Sequence, residues 1–82
     1  MITWHMGIKS QMVVNKKTDD QTDYLSEWYK GDEQGTQENN IMFTTHKDGS
    51  MFISDVDREG ITYLYPEQVA HLRDILRNME AR

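Results

Sequence analysis

The chain has 82 residues, 37% of them hydrophobic and 28% charged, with a net charge of −5. That is one globular domain, expected to bury only about 60–65% of its unfolded surface, and a domain this small can gain core area by dimerising. Without cysteine there is no disulfide, thiolate metal site or thiol nucleophile, and a reducing compartment is the natural setting. Met1-Ile2-Thr3-Trp4-His5 lacks the basic head and apolar stretch of a signal peptide, and no apolar run is long enough to span a bilayer. A cytoplasmic location without membrane association is expected.

In chain order, Ile2–Lys9 and Gln11–Lys16 read as two strands, with a bend or bulge marked by Gly7 and Ser10. Residues 18–40 form an acidic, aromatic-containing segment. Positions 19–39 carry seven acids (Asp19, Asp20, Asp23, Glu27, Asp32, Glu33, Glu38) against Lys30, a balance of −6. The other seven acids and eight bases give +1, so all the excess negative charge sits in the middle.

Thr18–Gly31 supports two readings. Tyr24, Leu25, Trp28 and Tyr29 fall on one side of a helix that Thr18, Asp19 and Asp20 would cap and Gly31 would end. The favoured reading is this short helix; the competing one is a hairpin arm with exposed aromatics. Asp32–Asn40 has no apolar residue and reads as a loop.

Ile41–His46, Met51–Val56 and Ile61–Tyr65 are three short apolar runs separated by Lys47-Asp48-Gly49-Ser50 and Asp57-Arg58-Glu59-Gly60. They predict a meander over 41–65, with Asp48-Gly49 in a type I′ turn. Pro66-Glu67-Gln68 opens a helix whose stripe of Val69, Leu72, Ile75, Leu76 and Met79 should face the sheet. The expected fold is α+β: the three-stranded meander, one or two N-terminal strands, and a C-terminal helix packed on one face of the antiparallel sheet.

No catalytic motif is present. The glycines are isolated, there is no G-x-S-x-G, and the serines sit in turns or polar faces. The expectation is a protein that is not an enzyme and needs no cofactor. Asp55, Asp57, Glu59 and Gly60 are spaced like the opening of a calcium loop, but the twelfth position is Pro66 rather than a bidentate Glu, so an acidic turn is expected. His5, His46 and His71 have no metal-binding spacing.

The residues expected to bind are Asp19, Asp20, Asp23, Tyr24, Glu27, Trp28, Tyr29, Asp32 and Glu33. Tyr and Trp favour interface cores, and carboxylates around them steer the patch to a basic partner. The alternative is that the rings cover a sheet face the helix leaves open. Such a charge field repels phosphate backbones, so nucleic acid is not the expected partner.

Gly60-Ile61-Thr62-Tyr63-Leu64-Tyr65-Pro66-Glu67-Gln68, followed by Leu72, resembles the end of the single-stranded DNA-binding transcriptional coactivator domain. That resemblance implies a curved sheet closed by a strand and a helix, and a single-stranded nucleic-acid ligand. The family's sheet is rich in Lys and aromatic residues, whereas this meander offers only Lys47 and Arg58. The whole chain is also similar in type to small acidic accessory proteins of bacteriophages and mobile elements. This implies binding to a host protein, as an inhibitor occupying a basic or nucleic-acid-binding surface. A structural, self-associating module, including a homodimer, is the third expectation.

Overall fold

In the computed structural model, residues 7–58 and 60–80 are described. Five strands and one helix follow in order: β1 (Gly7–Lys17), β2 (Gln21–Asp32), β3 (Gly35–His46), β4 (Met51–Asp55), β5 (Ile61–Leu64) and α1 (Pro66–Glu80). The strands form one antiparallel sheet in the order β1-β2-β3-β4-β5, a continuous meander. The fold is α+β, as the three apolar runs and the Pro66-Glu67-Gln68 start implied.

The N-terminal half differs from the sequence reading in three places. β1 runs unbroken through Ser10, which pairs in register with Trp28. A partner strand on that side holds the polar residue extended, and the one register irregularity falls between Val14 and Lys16. The part of the expected first strand before Gly7 lies outside the described residues.

Thr18–Gly31 is not a helix. From Gln21 it is a central strand, paired with β1 on one side and β3 on the other. In a strand the same residues put Tyr24 and Trp28 on one face and Leu25 and Tyr29 on the other, and Tyr, Trp and Thr suit a pleated surface flanked on both sides. The residues expected to cap a helix make a hairpin turn instead. Thr18 N–H donates to the Gln21 carbonyl at 2.7 Å, and Gln21 N–H donates to Thr18 Oγ1 at 3.2 Å.

Residues 32–40 are not a loop either. Asp32 pairs with Gly35, so only Glu33 and Gln34 connect β2 to β3. Gln34 N–H donates to Asp32 Oδ1 at 2.8 Å, an Asx turn. The polar start of β3 survives as a strand because β4 pairs only with Ile41–Thr45. Beyond that point β1, β2 and β3 project as a three-stranded arm whose β1 and outer β3 residues are exposed, so no apolar alternation is required in the start of β3.

The Lys47–Ser50 connection is a hairpin, but not through a type I′ turn. Gly49 N–H donates to the His46 carbonyl and His46 N–H to the Ser50 carbonyl, both at 3.0 Å. Gly49 has φ +96° while no non-glycine residue among those described has positive φ. This is the three-residue hairpin loop, in which only the last position needs the left-handed conformation.

At the helix start Pro66 takes the first helical position. Val69 N–H reaches the Tyr65 carbonyl at 2.9 Å, and Gln68 Oε1 accepts the Tyr65 N–H at 3.1 Å. That is the reciprocal half of a capping box, from a glutamine at the third helical position.

Among the described residues no hydrophobic side chain is buried; the buried side chain is Ser50, 3% exposed. The helix meets the sheet at its first turns, where Val69 and Leu72 are half-buried and share a cleft with Met51. Further along, Ile75, Leu76 and Met79 are 56%, 49% and 61% exposed. The expected stripe exists, but its C-terminal half is exposed, with Leu76 alone of these three bordering the Met51 cleft among the described residues. The molecule is extended, 49 × 33 × 22 Å.

Candidate interaction surface

Strand alternation and register sort the side chains into two faces. The first face carries the row Val14–Tyr24–Phe43–Ile53, flanked by Met12–Ser26–Ile41 on one side and Thr45–Met51–Leu64 on the other. Trp28, between Ser10 and Asn39, continues it along the arm. Met51 belongs to this face, so α1 lies on the same side.

The second face has three zones. In the middle runs an apolar row, Val13–Leu25–Met42, extended by Ser54 and Ile61. On the arm stand Lys9–Tyr29–Glu38 and Gln11–Glu27–Asn40. They line a shallow depression of about 300 Å³, across which Gln11 Nε2 donates to Glu27 Oε1 at 2.8 Å. Asp32 and Glu33 lie at the tip of the same arm.

At the other end of the second face is an aromatic ladder that sequence reasoning missed. His46 and Phe52 meet edge-on at 5.1 Å, Phe52 and Tyr63 at 4.8 Å, and Tyr63 and Tyr65 edge-on at 4.8 Å. Its signal was present: Tyr63 and Tyr65 alternate after the second turn, and Phe52 stands in the strand before it. Tyr63 and Tyr65 are exposed.

The nine candidate binding residues do not form one patch. Asp19 and Asp20 sit in the β1–β2 turn, and Asp23 stands near that end opposite Lys16. Asp32 and Glu33 lie at the far end of β2, roughly 35 Å away at about 3.3 Å per strand residue. Glu27 and Tyr29 share the second face with Glu38, whereas Tyr24 and Trp28 face the opposite way. A flat partner cannot touch Tyr29 and Trp28 together.

His46, Asp48 and Ser50 bring a serine, a histidine and a carboxylate together, but not in catalytic order. Ser50 Oγ donates to Asp48 Oδ1 at 2.7 Å and lies 3.2 Å from His46 Nδ1. With its proton committed to Asp48, the hydroxyl can only accept from His46. A hydrolytic triad instead needs the imidazole between acid and serine, and an accessible hydroxyl. Here Ser50 is buried and links the other two. Its hydroxyl and then its backbone N–H hold the Asp48 carboxyl below the usual range, with His46 adding to the effect.

Among the described residues no group of three or more His, Asp or Glu could hold a metal. In the Asp55–Gly60 loop, Asp55 Oδ1 accepts the Asp57 N–H at 3.0 Å, and Asp57 Oδ2 accepts Asn40 Nδ2–H at 3.0 Å. These carboxylates serve the turn and its tether to β3. Glu59 and His5 lie outside the described residues, His46 belongs to the ladder, and His71 is exposed on the helix. Among the described residues no helix is long and apolar enough to cross a membrane.

Comparison with protein families, with curated proteins and with solved structures found no match.

Proposed function

We propose that this chain is a small acidic protein-binding module that presents the β1–β2–β3 arm to a basic surface of a partner protein. The observation that carries this reading is the clustering of Glu27, Tyr29 and Glu38 on one face of the arm, with Asp32 and Glu33 at its tip. The arm projects beyond β4, so the face that carries Glu27, Tyr29 and Glu38, together with the tip, can enter a groove. Tyr29 supplies rigid contact area between Lys9 and Glu38, and Glu27, Glu38, Asp32 and Glu33 outnumber that one lysine in a field that accelerates encounter with cationic surfaces. The specific form we favour is a phage-derived inhibitor that occupies a nucleic-acid-binding surface of a host protein, acting by occupancy, without catalysis or cofactor. The reducing cytoplasm suits a chain without cysteine.

The test is affinity capture from nuclease-treated lysate, comparing the parent with Glu27→Lys/Glu38→Lys. Enrichment of a basic protein by the parent and its loss with the charge-reversed variant supports the reading. Equal capture by both rejects the arm as the binding element.

A second reading, a single-stranded nucleic-acid-binding domain, rests on the His46–Phe52–Tyr63–Tyr65 ladder. Exposed aromatic rings on a sheet are platforms on which bases stack. Against it, Asp20 and Asp48 line the same depression as Lys47, and phosphate binding scales with clustered cations. Fluorescence polarisation with short oligonucleotides separates the two. Sub-micromolar binding that weakens with salt would put nucleic acid first.

A further inference from the structure

We propose that the first face of the sheet, together with the open stripe of α1, is covered by a second copy of this chain. This goes beyond the partner reading, which concerns the opposite face and the tip of the arm. Four observations carry it. First, none of the described hydrophobic side chains is buried, although Met12, Val14, Ile75, Leu76 and Met79 all belong to this side and are 49–66% exposed.

Second, the area is that of half an assembly. A compact monomer of 9.7 kDa exposes about 5,100 Å², whereas this chain exposes 6792 Å². The excess is about 1,700 Å², against roughly 800 Å² per partner in a standard stable interface. Assigning the nine residues outside those described their full unfolded-chain area, and comparing the rest with a compact chain of that smaller mass, still leaves about 500 Å². The radius of gyration, 15.6 Å, agrees; a compact chain of this length has about 12 Å.

Third, the shape is self-complementary. The chain offers an apolar helix stripe and, on the same side, an apolar sheet region near β1 that its own helix does not reach. A two-fold axis brings the stripe of each copy against the partner's open surface, because an isologous interface repeats each contact.

Fourth, charge permits it. α1 carries Arg73 and Arg77 against Glu67, Asp74 and Glu80, close to neutrality. The arm's Glu27 and Glu38 project from the opposite face, so two acidic chains can approach by this side without juxtaposing those carboxylates. A basic partner has no carboxylate cluster to find here.

Sedimentation equilibrium and thermal melts of the intact chain across the micromolar range test the proposal. The expected result is a mass twice 9.7 kDa and a melting temperature that rises with protein concentration, as linkage requires when folding and pairing are coupled. Met12→Glu and Ile75→Glu should each lower the mass or abolish cooperative melting, while Glu27→Lys/Glu38→Lys should leave the dimer intact. A folded monomer with a concentration-independent melting temperature overturns the proposal. So does a dimer that tolerates Met12→Glu and Ile75→Glu but is lost with Glu27→Lys/Glu38→Lys, since its interface would lie on the acidic arm face.

Discussion

Ser50 donates its hydroxyl to Asp48 at 2.7 Å and its backbone N–H to the same carboxylate oxygen at 2.8 Å. The hydroxyl is thereby fixed against His46, and the β3–β4 turn closes around the most buried of the described side chains. The Asp48 carboxyl is held below its ordinary value by these two hydrogen bonds and by His46. A carboxylate with a lowered folded-state pKa adds stability above its unfolded pKa of about 3.9, and this is lost as pH falls through the lower folded value. Asp48→Asn should therefore be less stable than the parent at neutral pH. The gap should close as pH drops below about 4. Urea midpoints of both proteins over acid and neutral pH check it.

Gly49 answers a steric demand. Its φ is +96°, and an added Cβ would sit 3.4 Å from Pro66 Cβ. Gly49→Ala should cost about 1–2 kcal/mol, mostly from the left-handed backbone. Asn, which tolerates that conformation better, should cost less. A melt of the two variants ranks them.

Leu72 and Ile75 occupy one helix stripe but differ in surroundings. Leu72 is half-buried beside Met51, while Ile75 is 56% exposed. Leu72→Ala should lose about 1–2 kcal/mol, less than the 2–5 of a fully buried leucine. Ile75→Ala should change an isolated chain by under about 0.5 kcal/mol, as for other surface substitutions. An Ile75→Ala loss comparable to that of Leu72→Ala would show that something covers the distal stripe. Denaturant titrations at two protein concentrations measure both effects.

Trp28 is half-buried on the first face, between Ser10 and Asn39. Trp28→Ala should lower the melting temperature while leaving the Glu27–Tyr29–Glu38 face in register. Capture of a basic partner should therefore persist at temperatures where the variant is folded. Loss of capture without loss of stability would make Trp28 the anchor instead.

The C-terminal half was legible because its signals are local. Gly49 is demanded by a hairpin loop, Pro66 and Gln68 by a helix start, and both act within a few residues. The acidic middle was not legible. Tyr24, Leu25, Trp28 and Tyr29 fit one side of a helix and equally a strand with apolar side chains on both faces, and the choice was made by β1 and β3 flanking the segment on both sides. Polar Thr36–Asn40 is a strand only because β2 is beside it. The same distance in sequence hid the site: a run of acids and aromatics looks like one patch until a two-residue period sends Trp28 and Tyr29 to opposite faces. By itself the sequence determined where the turns at 47–50 and 57–60 fall, the helix and its apolar stripe, and the charge of the chain, all short-range or compositional properties. Tertiary pairing alone decided which side chains share a face, because strand neighbours come from distant segments. Among the described residues it also left the apolar face and the distal helix stripe exposed, because a four-residue β5 and one fifteen-residue helix are too small to cover a sheet whose longest strands have twelve residues.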